Sequence, residues 1–147
     1  MVPVPEQEIA RRPRPVPTAE SRPFWDAARR HELRLPWCPA CATYLFPPPP
    51  RCPRCLGRPL DWTTLSGRGS LQSWTTVRLD VLAGVEAPFV IGEVAPAEQP
   101  DLVLVALIVG PAPDRLRSGM AVEASFVDHD ATALLQFGAP GAPGGAV

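Results

Sequence analysis

From Ser70 onward the apolar residues alternate with polar ones in a way that predicts strands and almost nothing else. In "SLQSWTTVRLD", Leu71, Val77 and Leu79 fall on one face and Gln72, Trp74 and Arg78 on the other, the period of two expected of a half-buried strand. The segments "PFVIGEVA", "DLVLVALIVG", "MAVEASFVD" and "TALLQFG" follow, each bounded by Pro, Gly or Asp. Two of them, "PFVIGEVA" and "DLVLVALIVG", are apolar on both faces. Such strands need cover on their outer side as well, from the helix, the cysteine segment or another subunit.

The first half follows other rules. Residues 1–20 hold scattered prolines and charges with no period, which predicts a flexible arm, and the tail 139–147 reads the same way. Between Ser21 and Leu35 the spacing turns helical: Ser21 stands as N-cap, Pro23 sits in the first turn, and Phe24, Ala27, Ala28 and His31 share a face. Phe24 and Trp25 are adjacent, about 100° apart around a helix, so both are buried only if the helix lies between two surfaces. After the cysteines, "LDWTTLSGRGS" brings a short strand and a Gly-Arg-Gly boundary. The chain thus divides into an arm (1–20), a helix (21–35), a cysteine module (36–65), a β-domain (66–138) and a tail. Five consecutive strands without a long helix predict a small, partly open Greek-key barrel of the OB kind, not a sandwich, which usually needs seven.

Cys38, Cys41, Cys52 and Cys55 form C-x2-C-x10-C-x2-C. Two residues between thiolates let one tight turn present both sulfurs to a single ion, and two such turns complete a tetrahedron. Pro39 and Pro53 follow the first cysteine of each pair, leaving the next two amides free to hydrogen-bond sulfur. A closed set of four thiolates with no spare ligand predicts structural Zn2+; iron in a rubredoxin-like site and disulfides are the alternatives. Metal binding is worth on the order of 10 kcal/mol or more in such sites, so here the ion replaces a core. Between the pairs, Pro47 to Pro50 form a stiff spacer.

Composition changes the picture only modestly. All fourteen basic residues are arginine and the net charge is −1, to which a zinc tetrathiolate adds about two negative charges. That balance speaks against nucleic acid as the main ligand. The longest apolar run, Leu102 to Val109, falls far short of the roughly twenty residues of a membrane span, and the N-terminus lacks the apolar core of a signal peptide. A cytoplasmic protein is expected, where cysteine pairs favour metal over disulfide. No GxSxG, P-loop, dinucleotide or HExxH motif occurs, so no catalytic residue is assigned. His31 and His129 have ordinary explanations at a helix end and in a turn, and Glu93 is the one carboxylate on an otherwise apolar strand.

In order along the chain, "PFWDAARRHELRLPWCPACATYLFPPPPRCPRC", "SGRGSLQSWTTV" and "SGMAVEASFVD" resemble the zinc-ribbon plus OB-fold acyl-CoA-associated family over residues 21–138. The resemblance implies a mainly β protein: a short N-terminal helix or helical hairpin, a rubredoxin-like zinc ribbon and a C-terminal five-stranded OB barrel. It also implies an accessory, non-catalytic subunit in a hetero-oligomer with a thiolase-like enzyme: a thiolase, a hydroxymethylglutaryl-CoA synthase or a side-chain aldolase of steroid or lipid metabolism. A coenzyme A thioester is then the expected ligand. Arg51, Arg54 and Arg58 beside the second zinc turn, and Arg68 at the boundary, are candidates for its phosphates, or else offset the thiolate charge. Phe24, Trp25 and Trp74 are candidates to wall a channel or meet the partner, with ordinary burial as the alternative. The other class of function is single-stranded nucleic-acid binding, with Trp74 and Arg78 as a stacking platform.

Overall fold

The structure, a computed structural model, describes residues 12–142. The first eleven residues of the expected arm and the last five of the expected tail lie outside it. Residues 12–18 have neither helix nor strand, but they are held: the Arg12 carbonyl lies 2.8 Å from His129 Nε2, and Arg14 Nε is 3.8 Å from Asp130 Oδ2.

Helix α1 spans Arg22–Ala28 and is shorter than the expected 21–35. Ser21 holds the N-cap position, but its hydroxyl accepts the Thr18 amide at 2.9 Å and makes no cap bond. At the other end the amides of Arg30 and Glu32 both return to the Ala27 carbonyl, and His31 takes φ 59°. The left-handed residue turns the chain, and Arg34–Cys38 goes into strand β1 because it finds a ladder partner downstream.

In the ribbon, β1 pairs antiparallel with β2 (Thr43–Tyr44) on one side and β3 (Asp61–Thr64) on the other, with Leu35 opposite Thr63 and Cys38 opposite Thr43. Trp37 and Tyr44, partners across β1 and β2, bring their rings to 4.6 Å. Gly67 then turns the chain with φ 80°, a conformation costly for any side chain.

Strands β4 (Arg68–Val77), β5 (Phe89–Pro96), β6 (Leu104–Ile108), β7 (Ala121–His129) and β8 (Thr132–Gly138) follow the predicted segments. The barrel is closed, in the order β4-β5-β6-β8-β7, and not partly open. Closure comes from a parallel pairing of β6 with β8, Leu107 opposite Gln136 and Ile108 opposite Phe137, among otherwise antiparallel neighbours. Inside lie Leu71, Val94, Leu104, Val122 and Phe137, and the same apolar cluster continues into Phe24, Ala28, Leu33, Leu35 and Leu65. Helix and ribbon base therefore plug the barrel and share its core.

Two expectations about faces change. One end of the outer side of β5 and β6 is covered by the chain itself: Val85, in the segment between β4 and β5, packs on Phe89 and Leu107, with Leu82 and Ala87 alongside, while Val105 farther along that face is 60% exposed. And β4 carries a bulge between Leu71 and Ser73, which reverses the alternation beyond it. Trp74 therefore stands opposite Gly92, where a Cβ would lie 2.6 Å from Ile108 and 2.8 Å from Leu71, so Trp74 leaves the strand on the inward side, the same face as Leu71 and not the opposite one that simple alternation predicts.

Candidate metal centre

Each cysteine pair sits in a turn whose shape is set by its backbone. Cys38 closes β1, Cys41 follows three residues on, and Ala42 at φ 51° turns the chain into β2. In the second turn the Leu56 amide donates to the Cys52 carbonyl at 2.9 Å, with Leu56 at φ 59°. The amides of Cys41 and Ala40 point at Cys38 sulfur, and those of Cys55 and Arg54 at Cys52 sulfur. These are the two free amides that each CPxC turn was expected to supply.

The four sulfurs all lie within 4.8 Å of one another, with Cys38 to Cys55 at 3.6 Å and Cys41 to Cys52 at 3.8 Å. A tetrahedron with Zn–S of about 2.3 Å has sulfur–sulfur edges of roughly 3.8 Å, so the donor set fits the ion. All four are free cysteines. The electrostatics agree: the Cys55 and Arg54 amides draw the Cys52 thiol down to about 6, with the Cys55 amide the larger cause. Cys41 is pushed up to about 12, first by Cys55 and then by burial and the other sulfurs. Four sulfurs this close become thiolates together only around a cation. Leu45 and Leu60 pack against them, and Cys38 and Cys52 are buried while Cys55 faces solvent.

The remaining candidates do not converge. Phe24 is in the core, its ring 5.0 Å from Trp25 and 5.6 Å from Phe46, so only Trp25 of the pair reaches the surface. Trp25 walls a cavity of about 290 Å³ with Arg14, Val16, Arg29 and Thr132. Arg51, Arg54, Arg58 and Arg68 are all exposed. Arg54 lies 3.9 Å from Asp101, Arg58 acts on Glu20, and Arg68 acts on Glu98. Trp74 is 36% exposed and belongs to none of the apolar clusters of the described residues. Glu93 is exposed and accepts the Ser73 hydroxyl at 2.7 Å, so it is no buried acid.

Sequence reasoning missed the residues that hold ribbon and barrel together. Gln99, in the loop after β5, accepts the Tyr44 amide at 2.6 Å and donates to the Tyr44 carbonyl at 3.3 Å. Its neighbour Glu98 accepts the Ser66 amide at 2.7 Å; burial pushes that carboxyl up, but the Ser66 amide and hydroxyl pull harder and leave it below the usual range. His31 Nε2 meets Asp128 Oδ1 at 2.7 Å while its ring stacks on Phe126. Only the polar "AEQ" run inside an apolar stretch hinted at the first two.

Two consecutive family descriptions match the chain: "ChsH2, rubredoxin-like zinc ribbon domain" over residues 25–61 and "ChsH2, C-terminal OB-fold domain" over residues 62–127. The chain belongs to this ChsH2-type zinc-ribbon and OB-fold family. Its four clustered cysteines are the ligands of a structural Zn2+ site. Among relatives, it is 32% identical over 91% of its length to a "Probable enoyl-CoA hydratase alpha subunit" of Thermomonospora curvata. It is 30% identical over 78% of its length to the "3-oxo-4,17-pregnadiene-20-carboxyl-CoA hydratase alpha subunit" of Mycobacterium tuberculosis. The ChsH2-type chain spans 41% and 36% of those two proteins. Among solved structures, a chain of the "Ltp2-ChsH2(DUF35) aldolase" is 28% identical and superposes with TM-score 0.78, covering 86% of this chain and 98% of that one. A DUF35 protein of unknown function from Sulfolobus solfataricus shares the fold, with TM-score 0.59 at 13% identity over 82% of this chain and 85% of that one. No helix among the described residues is long and apolar enough to cross a membrane.

Proposed function

We propose that this chain is a non-catalytic accessory subunit that docks a thiolase-like enzyme and helps bind or channel an acyl-CoA of steroid or lipid metabolism. The observation that carries the reading is the likeness, over nearly the whole of that chain, to a chain of the Ltp2-ChsH2(DUF35) aldolase. The name of the Mycobacterium tuberculosis relative, a hydratase subunit acting on a steroid-derived CoA thioester, supports the substrate class. The chemistry is consistent: the four cysteine sulfurs converge on one metal site, which leaves none of them as a free nucleophile.

On this reading the chain's own groups bind and orient. Arg51, Arg54, Arg58 and Arg68 offer planar donors to the phosphates of the thioester, and Trp25 and Trp74 offer flat apolar walls to its pantetheine arm or to the partner. Three of these arginines have an acidic neighbour, Arg54 in Asp101, Arg58 in Glu20 and Arg68 in Glu98, which disfavours a continuous basic stripe for nucleic acid.

The test is co-expression with the thiolase-like enzyme of the same host, followed by size-exclusion chromatography and an assay on an acyl-CoA thioester. A stable complex is expected, with turnover that needs the partner's residues. Turnover by the isolated chain, or a partner equally soluble and active alone, ends the proposal.

A further inference from the structure

The second zinc turn carries a large apolar side chain that the fold leaves mostly in water. Leu56 sits at φ 59°, where glycine is at ease and leucine is strained. The conformation itself is needed, because the Leu56 amide bonds the Cys52 carbonyl and the Gly57 carbonyl accepts the Cys52 amide at 3.3 Å, closing the turn. Neither bond involves the side chain, and the equivalent position of the first turn holds the small Ala42 in the same conformation. Yet Leu56 is 63% exposed and belongs to none of the apolar clusters of the described residues. A residue both strained and water-exposed weakens the isolated chain, and an observed backbone outlier of this kind points to a use elsewhere.

Its setting says what kind of use. Arg54 lies on the turn, and Arg51 and Arg58 flank its two ends, where the Cys52–Gly57 bond brings the chain back on itself. All three guanidinium groups are exposed, and Arg54 reaches Asp101 only at 3.9 Å with most of its side chain in solvent. The turn is also pinned by metal, so it has little freedom left to lose on docking. An apolar knob inside a charged surround is the usual layout of a protein contact, with a dry centre and a polar rim.

We propose that Leu56 is an anchor that enters an apolar socket, rimmed by carboxylates, on the partner enzyme subunit. The assignment rests on the accessory-subunit reading above. The probe is the purified Ltp2-type subunit of the same host, titrated calorimetrically with the zinc-loaded chain. Leu56→Gly is expected to keep its zinc and to melt no lower than wild type, because glycine relieves the strained φ, while binding at least about tenfold more weakly. Leu56→Asn, also tolerated in that region, should behave alike. Arg51→Glu should weaken binding most at low salt, and wild-type affinity should fall as salt rises.

Wild-type affinity in both Leu56 variants overturns the anchor and leaves the accessory reading standing. Affinity indifferent to salt and to Arg51→Glu overturns the acidic rim. Failure of the wild-type chain to bind the subunit removes the accessory reading itself.

Discussion

The two ends of β1 show two ways of holding a small protein together. At Leu35 the strand is buried in the apolar cluster shared with Leu71, Val94 and Phe137; three residues later, at Cys38, its apolar surroundings shrink to the other sulfurs, Leu45 and Leu60. The barrel end is stabilised by apolar burial spread over many residues, the ribbon end by one ion and four ligands. Burial is graded, so damage to it is partial, whereas a four-ligand site fails almost completely when one ligand goes. What joins them is the apolar cluster they share, to which a short list of directional bonds around Gln99, Glu98 and His31 is added.

The largest perturbation should therefore be loss of the ion. Cys52→Ser, or a strong chelator, is expected to forfeit metal binding on the order of 10 kcal/mol and to expose residues 39–60 to protease, while amides of β5 to β8 stay protected from exchange. Barrel protection lost in step with the metal would erase the distinction. Next comes Phe137→Ala, which removes a fully buried ring at a cost of about 3–5 kcal/mol, read as a lower Tm with zinc still bound at one per chain.

Gly92→Ala should cost about 1–3 kcal/mol, because the new methyl meets Ile108 and Leu71 at 2.6–2.8 Å; an unchanged Tm would mean that β4 and β6 yield there. Gln99→Ala should cost about 1–2 kcal/mol and loosen the ribbon against the barrel, seen as faster exchange at the Tyr44 amide with zinc retained.

The smallest effect concerns Glu98. Its carboxyl is held below the usual value of 4.5, so it stabilises the fold above that pH and the contribution disappears as pH falls through the lowered value. The Tm gap between wild type and Glu98→Gln should accordingly be widest near neutrality and close below about pH 4.5.

Features governed by short-range rules were legible in the amino-acid order. The period of two located the five barrel strands, and the spacing of Cys38, Cys41, Cys52 and Cys55 pointed to one cluster, which the structure brings together. Features decided by distant partners were not. α1 stops at Ala28 because β1 has a ladder waiting in Thr63 and Trp62, a fact absent from the helical spacing that suggested a longer element. The bulge after Leu71 turned Trp74 inward, since one extra residue reverses every side chain beyond it. Cover for Phe89 and Leu107 came from Val85 nearby, in a segment whose irregular pattern gave no sign of packing.

The plug formed by Ala28 and Leu33 against Ala133 and Phe137 has a consequence for biosynthesis. These partners leave the ribosome roughly a hundred residues apart, which at typical elongation rates is a wait of about 5–20 s. Throughout that interval the early hydrophobic residues have no final home, while the cysteine pairs, close neighbours along the nascent polypeptide, already have everything they require except the ion. Availability of zinc during translation thus governs whether the emerging chain holds any folded part before its last strand arrives.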